Sequence, residues 1–142
     1  MKKLILVIFC ILCWMKAAPA QVVVIAHKSV QLDTITSAKL LEYYSRETRL
    51  WNNGQPVVVF DLKPKREIKN VFYRYLGKSV NIMKSIWMVN MLSGEGDPPE
   101  SLDSEDEMLK KVASTPGAIG FVSQAKAKDG VKILAIIKDE KT

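Results

Sequence analysis

The chain has 142 residues, 48% of them hydrophobic and 25% charged, with 21 Lys and Arg against 15 Asp and Glu. These fractions exclude a disordered tail, a collagen-like repeat and a multi-span membrane protein, and the length fits one domain rather than two. The formal charge of +6 is not by itself a nucleic-acid signal, because part of it belongs to a removable leader.

Lys2 and Lys3 open the chain, an unbroken apolar run follows from Leu4 to Met15, and Ala18-Pro19-Ala20 supplies a small-x-small ending. This is the pattern of a secretory signal peptide over residues 1–20. At about 1.5 Å per residue the run reaches roughly 18 Å, well short of a hydrocarbon core of about 30 Å. Cys10 and Cys13 follow large residues, Phe9 and Leu12, which argues against a lipid-modification site. Cleavage after Ala20 leaves one domain over residues 21–142, with 18 basic residues (21 less Lys2, Lys3 and Lys16) against 15 acidic, a balance of +3. It also removes both cysteines, so disulfides, thiolate metal sites and a cysteine nucleophile are not expected. With His27 the single histidine, a histidine-rich zinc site or a Ser-His-Asp triad is not expected either. No basic and aromatic residues interleave as a nucleic-acid surface would require.

Gln21 to Ala26 is a continuous β-branched run, suited to a strand covered on both faces. Thr36 can cap a helix through about Tyr44, with Leu40, Leu41 and Tyr44 on one face. Asn53-Gly54 marks a turn, and Val57 to Phe60, ending at Asp61, reads as a second buried strand. Strand, helix and strand in this order predict a right-handed crossover. Lys63-Pro64 marks a helix start; Ile68, Val71, Phe72, Tyr75 and Leu76 then follow helical spacing without a gap, and Gly77 ends the helix.

The segment from Val80 to Leu92 carries only Asn81, Lys84, Ser85 and Asn90 as polar residues. Such a helix is expected to be largely buried, the alternative being that it offers Met88 and Met91 to a partner. Ser93 to Asp103 reads as a loop. Ser104 with Glu107 forms a capping box, Met108, Leu109, Val112 and Ala113 give the next helix its inner face, and Pro116-Gly117 ends it. Ala118 to Val122 and Val131 to Ile137 are the last strands, joined by the basic segment Gln124 to Gly130, before a charged tail. Strands alternating with helices predict an α/β sheet with helices on its faces.

Thr115-Pro-Gly-Ala-Ile-Gly-Phe-Val122 before Val131-Lys-Ile-Leu-Ala-Ile136 resembles the end of one lobe of PstS-type periplasmic phosphate-binding proteins, the substrate-binding components of ABC transporters. Thr34 to Tyr44, Ser45 to Trp51, the Asn53-Gly54-Gln55-Pro56-Val57-Val58 turn and strand, Phe72, Trp87, Gly94 and Pro98-Pro99 are similar to further segments of that family in the same order. The resemblance implies a single three-layer lobe of the type II periplasmic-binding-protein fold, with a central mixed sheet and helices on both faces. It implies an exported, non-enzymatic module for phosphate or small-oxyanion uptake or sensing, acting with a protein partner or as a homo-oligomer, without a cofactor. The alternative is a periplasmic interaction or sensory module that has lost ligand binding. No nucleic acid is expected as a partner, and a membrane only through the uncleaved leader or a membrane partner. The family's Ser-Gly-Thr, which helps hold phosphate, is replaced here by Arg66-Glu67-Ile68.

The candidate binding residues lie in two places. Lys65 and Arg66 stand at a helix start, where unpaired N–H groups attract anions, although Glu67 competes for that position. His27 and Ser29 follow the first strand, at a carboxyl end of the kind where α/β sheets place ligands. Gly94-x-Gly96 lacks the third glycine and the strand context of a dinucleotide loop. The acidic residues from Glu95 to Glu107 lack calcium-loop spacing.

Overall fold

In the computed structural model the described residues are 21–64 and 67–139; the expected leader, together with Lys65 and Arg66, lies outside them. The β-branched run predicted as a doubly covered strand is β1, Val22–Ala26, and all five of its residues are buried. It lies near the middle of a five-stranded sheet ordered β3-β2-β4-β1-β5, with β2 at Val58–Leu62, β3 at Glu100–Leu102, β4 at Ala118–Ser123 and β5 at Lys132–Ile137. The sheet is mixed. β2 runs parallel to both β3 and β4, while β1 pairs antiparallel with β4 on one side and with β5 on the other.

This overturns the crossover read from the first strand, helix and second strand. β1 and β2 are not neighbours, because β4 lies between them and β1 opposes the parallel set. A strand apolar on both faces fits the centre of a sheet in either sense, so composition alone did not fix its direction. β3 falls within the segment read as a loop; at three residues, two of them exposed, it has too little apolar alternation to register as a strand.

The four helices are α1 (Ser37–Tyr44), α2 (Glu67–Tyr75), α3 (Val80–Leu92) and α4 (Glu105–Ser114). Successive strand residues point to opposite faces, and β4 shows which helix covers which. Phe121 stacks on Phe72 of α2 with ring centroids 4.0 Å apart. A side chain at Gly120 would run into Met108 and Val112 of α4. Tyr44 of α1 packs edge-on against Phe72, and Trp87 of α3 meets Tyr73 in the same manner. Helices α1, α2 and α3 therefore share one face and α4 covers the other. The result is the expected α/β lobe with helices on both faces of a mixed sheet.

Local chemistry sets the helix starts. Thr36 Oγ1 accepts from Lys39 N at 3.2 Å, Ser79 Oγ from Ile82 N at 3.2 Å and Ser104 Oγ from Glu107 N at 3.1 Å, each satisfying an N–H that the helix leaves unpaired. The capping box at Ser104 is offset: Glu107 Oε2 accepts from Asp103 N, one residue ahead of the cap.

Two expectations about burial need correction. Tyr75 is 36% exposed, and Lys69 and Tyr73 are buried in addition to the predicted α2 stripe. α2 lies between the sheet and α3, so a second face is covered. α3 buries only Met83 and Trp87, while Ile82, Met88, Val89, Met91 and Leu92 are between 44% and 77% exposed. It is the outermost helix of its layer, so its far side meets solvent whatever its composition.

Candidate functional site

The sense of β1 decides which residues share each end of the sheet. β1 finishes where β4 and β2 begin, since Ala26 pairs with Ile119 and Val59 also pairs with Ile119. His27 and Ser29 thus lie at the amino end of the parallel strands. Lys63 follows the carboxyl end of β2, and Glu67 opens α2. His27 and Ser29 therefore lie at the end of the sheet opposite the start of α2 at Glu67, about 13 Å of strand away at roughly 3.3 Å per residue, whereas Lys65 and Arg66 lie outside the described residues.

At the first end Ser29 is a hub. Its hydroxyl accepts from Gly117 N at 3.1 Å and from Gln55 Nε2 at 3.1 Å. It lies 2.8 Å from His27 Nδ1, which also accepts from Ser29 N at 3.0 Å. Because Nδ1 accepts from a backbone donor, the Ser29 hydroxyl donates to it. One donated and two accepted bonds use the hydroxyl's capacity. The arrangement ties the turn after β1 to the Gln55 loop and the Gly117 turn. Gly117 is itself constrained, at φ +77°, and a Cβ there would collide with the Pro56 carbonyl. Its own carbonyl accepts from Trp51 Nε1 at 2.9 Å and from Val58 N at 3.0 Å.

At the other end Lys63 and Lys69 have partners inside the chain. Lys69 Nζ donates to Asp61 Oδ2 at 3.0 Å and to the Leu62 carbonyl at 2.7 Å, and Asp61 Oδ1 accepts from Leu62 N at 2.9 Å. The two residues are 2% and 1% exposed. Burial raises the Asp61 carboxyl above its ordinary 3.8 even though the Lys69 charge and hydrogen bond pull it back. The Tyr73 hydroxyl, deep in the same region, is held well above its usual range by burial and then by the Asp61 charge, and makes no well-formed hydrogen bond. Lys63 pairs with Asp103 on the surface, and that hydrogen bond raises its pKa. Glu67 occupies the first turn of α2.

This end therefore offers a helix start and positive charge, with Asp61, Asp103 and Glu67 already among them. Sequence reasoning missed the Asp61–Lys69 pair. The available signal was an acid inside the apolar Val57 to Leu62 run, since a carboxylate so placed requires a countercharge. Among the described residues no cluster of three His, Cys, Asp or Glu is placed to hold a metal ion.

No protein-family model matches the chain, nor does any curated protein sequence. Solved structures do match. An ABC-type phosphate transport receptor from Vibrio cholerae is 16% identical with a TM-score of 0.66, over 82% of this chain and 46% of the receptor. A phosphate ABC transporter substrate-binding protein with bound phosphate from Clostridium perfringens, described as putative, is also 16% identical, with a TM-score of 0.69 over 82% of this chain and 45% of that one. PstS from Borrelia burgdorferi matches at 0.63 and 16% identity, over 83% of this chain and 47% of PstS. The chain spans under half the length of these proteins, and the fold it shares with them is one lobe of the type II periplasmic-binding-protein fold.

Proposed function

We propose that this chain is an exported, non-enzymatic solute-binding module for phosphate or another small oxyanion, working in uptake or sensing with a partner that completes the site. The observation that carries this reading is the shared lobe, since the similar structures include one described as having phosphate bound. In this reading residues 1–20 are a cleaved leader, the domain works in the periplasm or is secreted, and the anion meets Lys65, Arg66 and the N–H groups at the start of α2. His27 and Ser29 shape the opposite end. The pairing of Lys63 with Asp103 and of Lys69 with Asp61, together with Glu67, lowers the positive potential open to an anion. Half a clamp also leaves its ligand solvated. Binding by the chain alone should accordingly be weak. Isothermal titration with phosphate tests the reading: heat that disappears in Lys65→Gln/Arg66→Gln supports it, and no heat at millimolar phosphate in monomer or dimer rejects direct capture.

A second reading, an interaction module that has lost its ligand, is favoured by the exposed apolar side of α3. Trp87 does not test it, because its indole is buried and donates to the Tyr44 carbonyl at 2.7 Å. Met88, 52% exposed, does. Loss of one defined periplasmic partner on Met88→Asp, with the fold intact by circular dichroism, would support this reading over phosphate capture.

A further inference from the structure

Between α3 and the segment leading into β3 lies a cleft of about 290 Å³, walled by Trp87, Met88, Met91, Pro98 and Pro99, with Asp61 and Lys69 among the residues that line it. Small-molecule sites are concave, mostly apolar and furnished with a few convergent polar groups, and the volume lies just under their usual range of about 300–1,000 Å³. Both parts are present. The Trp87 wall is preformed, its indole fixed by the bond to Tyr44 and by edge contact with Tyr73. Asp61 and Lys69 are a buried ion pair in which the ammonium spends two of its three donors, so a third remains.

The charge of the cleft indicates the ligand. Asp61, its single acid, is tied to Lys69. Glu100 reaches Lys111 of α4 instead, on the far face of the sheet. Lys84, at the exposed rim, makes no ion pair among the described residues and leaves the lining with one uncompensated positive charge. We infer that this cleft binds a small amphipathic organic anion, a carboxylate or sulfonate. Its aromatic or short aliphatic body lies between Trp87, Met88 and the prolines, and its acid group lies at Lys84. The lining includes Pro64, the neighbour in sequence of the oxyanion position proposed at Lys65 and Arg66, and the assignment stands whether or not phosphate binds there.

Titration of the purified protein with anilinonaphthalene sulfonate, followed by displacement with octanoate, tests this. Saturable one-to-one fluorescence that octanoate reverses is expected. Met88→Asp should weaken it about tenfold by removing a wall and adding a repelling charge. Lys84→Gln should weaken it about fivefold. Ile82→Asp, at a half-exposed position of α3 outside the cleft, should leave it unchanged. All three substitutions are at exposed positions, so circular dichroism should report the same fold. Equal loss in Ile82→Asp, indifference to Met88→Asp and Lys84→Gln, or displacement by inorganic phosphate at the octanoate concentration would each overturn the assignment. Absence of any phosphate heat in the earlier titration would not affect it.

Discussion

Asp61 and Lys69 are among the most sheltered residues of the chain, and sheltered charges are costly unless they remain together. Asp61→Leu alone leaves a buried ammonium facing the Leu62 carbonyl without its carboxylate and should destabilise the fold by about 3–5 kcal/mol. The double change Asp61→Leu/Lys69→Met should cost far less than the sum, because two apolar side chains need no partner. Urea unfolding of the four proteins in the cycle measures that difference. The carboxyl itself should titrate above 3.8, and higher again in Lys69→Met, as followed by carbon NMR. The sign for stability follows from its raised value. The folded state holds this proton to higher pH than the unfolded chain does, so the contribution is full below 3.8 and declines as pH rises through the folded pKa. At the opposite end of the sheet, Ser29→Ala deletes the acceptor for Gly117 N and Gln55 Nε2. A cost of about 1–3 kcal/mol is expected for leaving a partly buried donor unpaired, read from the urea midpoint.

Among the elements, α3 and β1 differ most from what their composition implies. α3 is apolar around most of its circumference, yet only Met83 and Trp87 reach the core, because no further layer covers the outermost helix. Its inner side still has structural work. Trp87 Nε1 and Asn90 Nδ2 donate to the Tyr44 and Ser45 carbonyls at the end of α1, at 2.7 and 2.9 Å, supplying partners that the helix end lacks. The turn between α4 and β4 depends on Gly117, whose positive φ and contact with Pro56 leave no room for a Cβ. Gly117→Ala should therefore cost more than the ~1–2 kcal/mol of the left-handed conformation alone. A loss of at least about 2 kcal/mol in urea unfolding is expected, with the Trp51 fluorescence altered because that indole donates to the Gly117 carbonyl.

On the scale of the whole molecule, stability depends on pairings between distant parts of the chain. β1 forms its ladders with β4 and β5, from Val22 with Ser123 and Ile137 to Ala26 with Ile119 and Lys132. Chain-distant contacts of this kind confer little until the intervening loop is closed. Removing residues 131–142 should do more than trim an edge. It would expose β1, a five-residue apolar strand, as an open edge ready to pair with other copies. Aggregation or failure to fold is the expected outcome, measured by size-exclusion chromatography and circular dichroism against the full chain. A soluble product with native ellipticity would show that the β1–β4 pairing suffices.

What the sequence determined by itself is local. The apolar run of β1, the cap at Thr36, the Ile68–Val71–Phe72–Leu76 stripe and the stop at Gly77 each follow from neighbouring residues and a fixed period, and the order of segments sufficed for the lobe. The tertiary structure decided the rest. It set β1 antiparallel to the strands beside it, which sends His27 and Ser29 to the end opposite α2. It recruited Glu100–Leu102 as a strand, left one side of α3 in solvent and brought Asp61 against Lys69. The reason is the same in each case. Periodicity reports which side of an element is apolar, but strand sense and helix cover depend on partners far along the chain, and an all-apolar strand or helix carries no mark of which partner it takes.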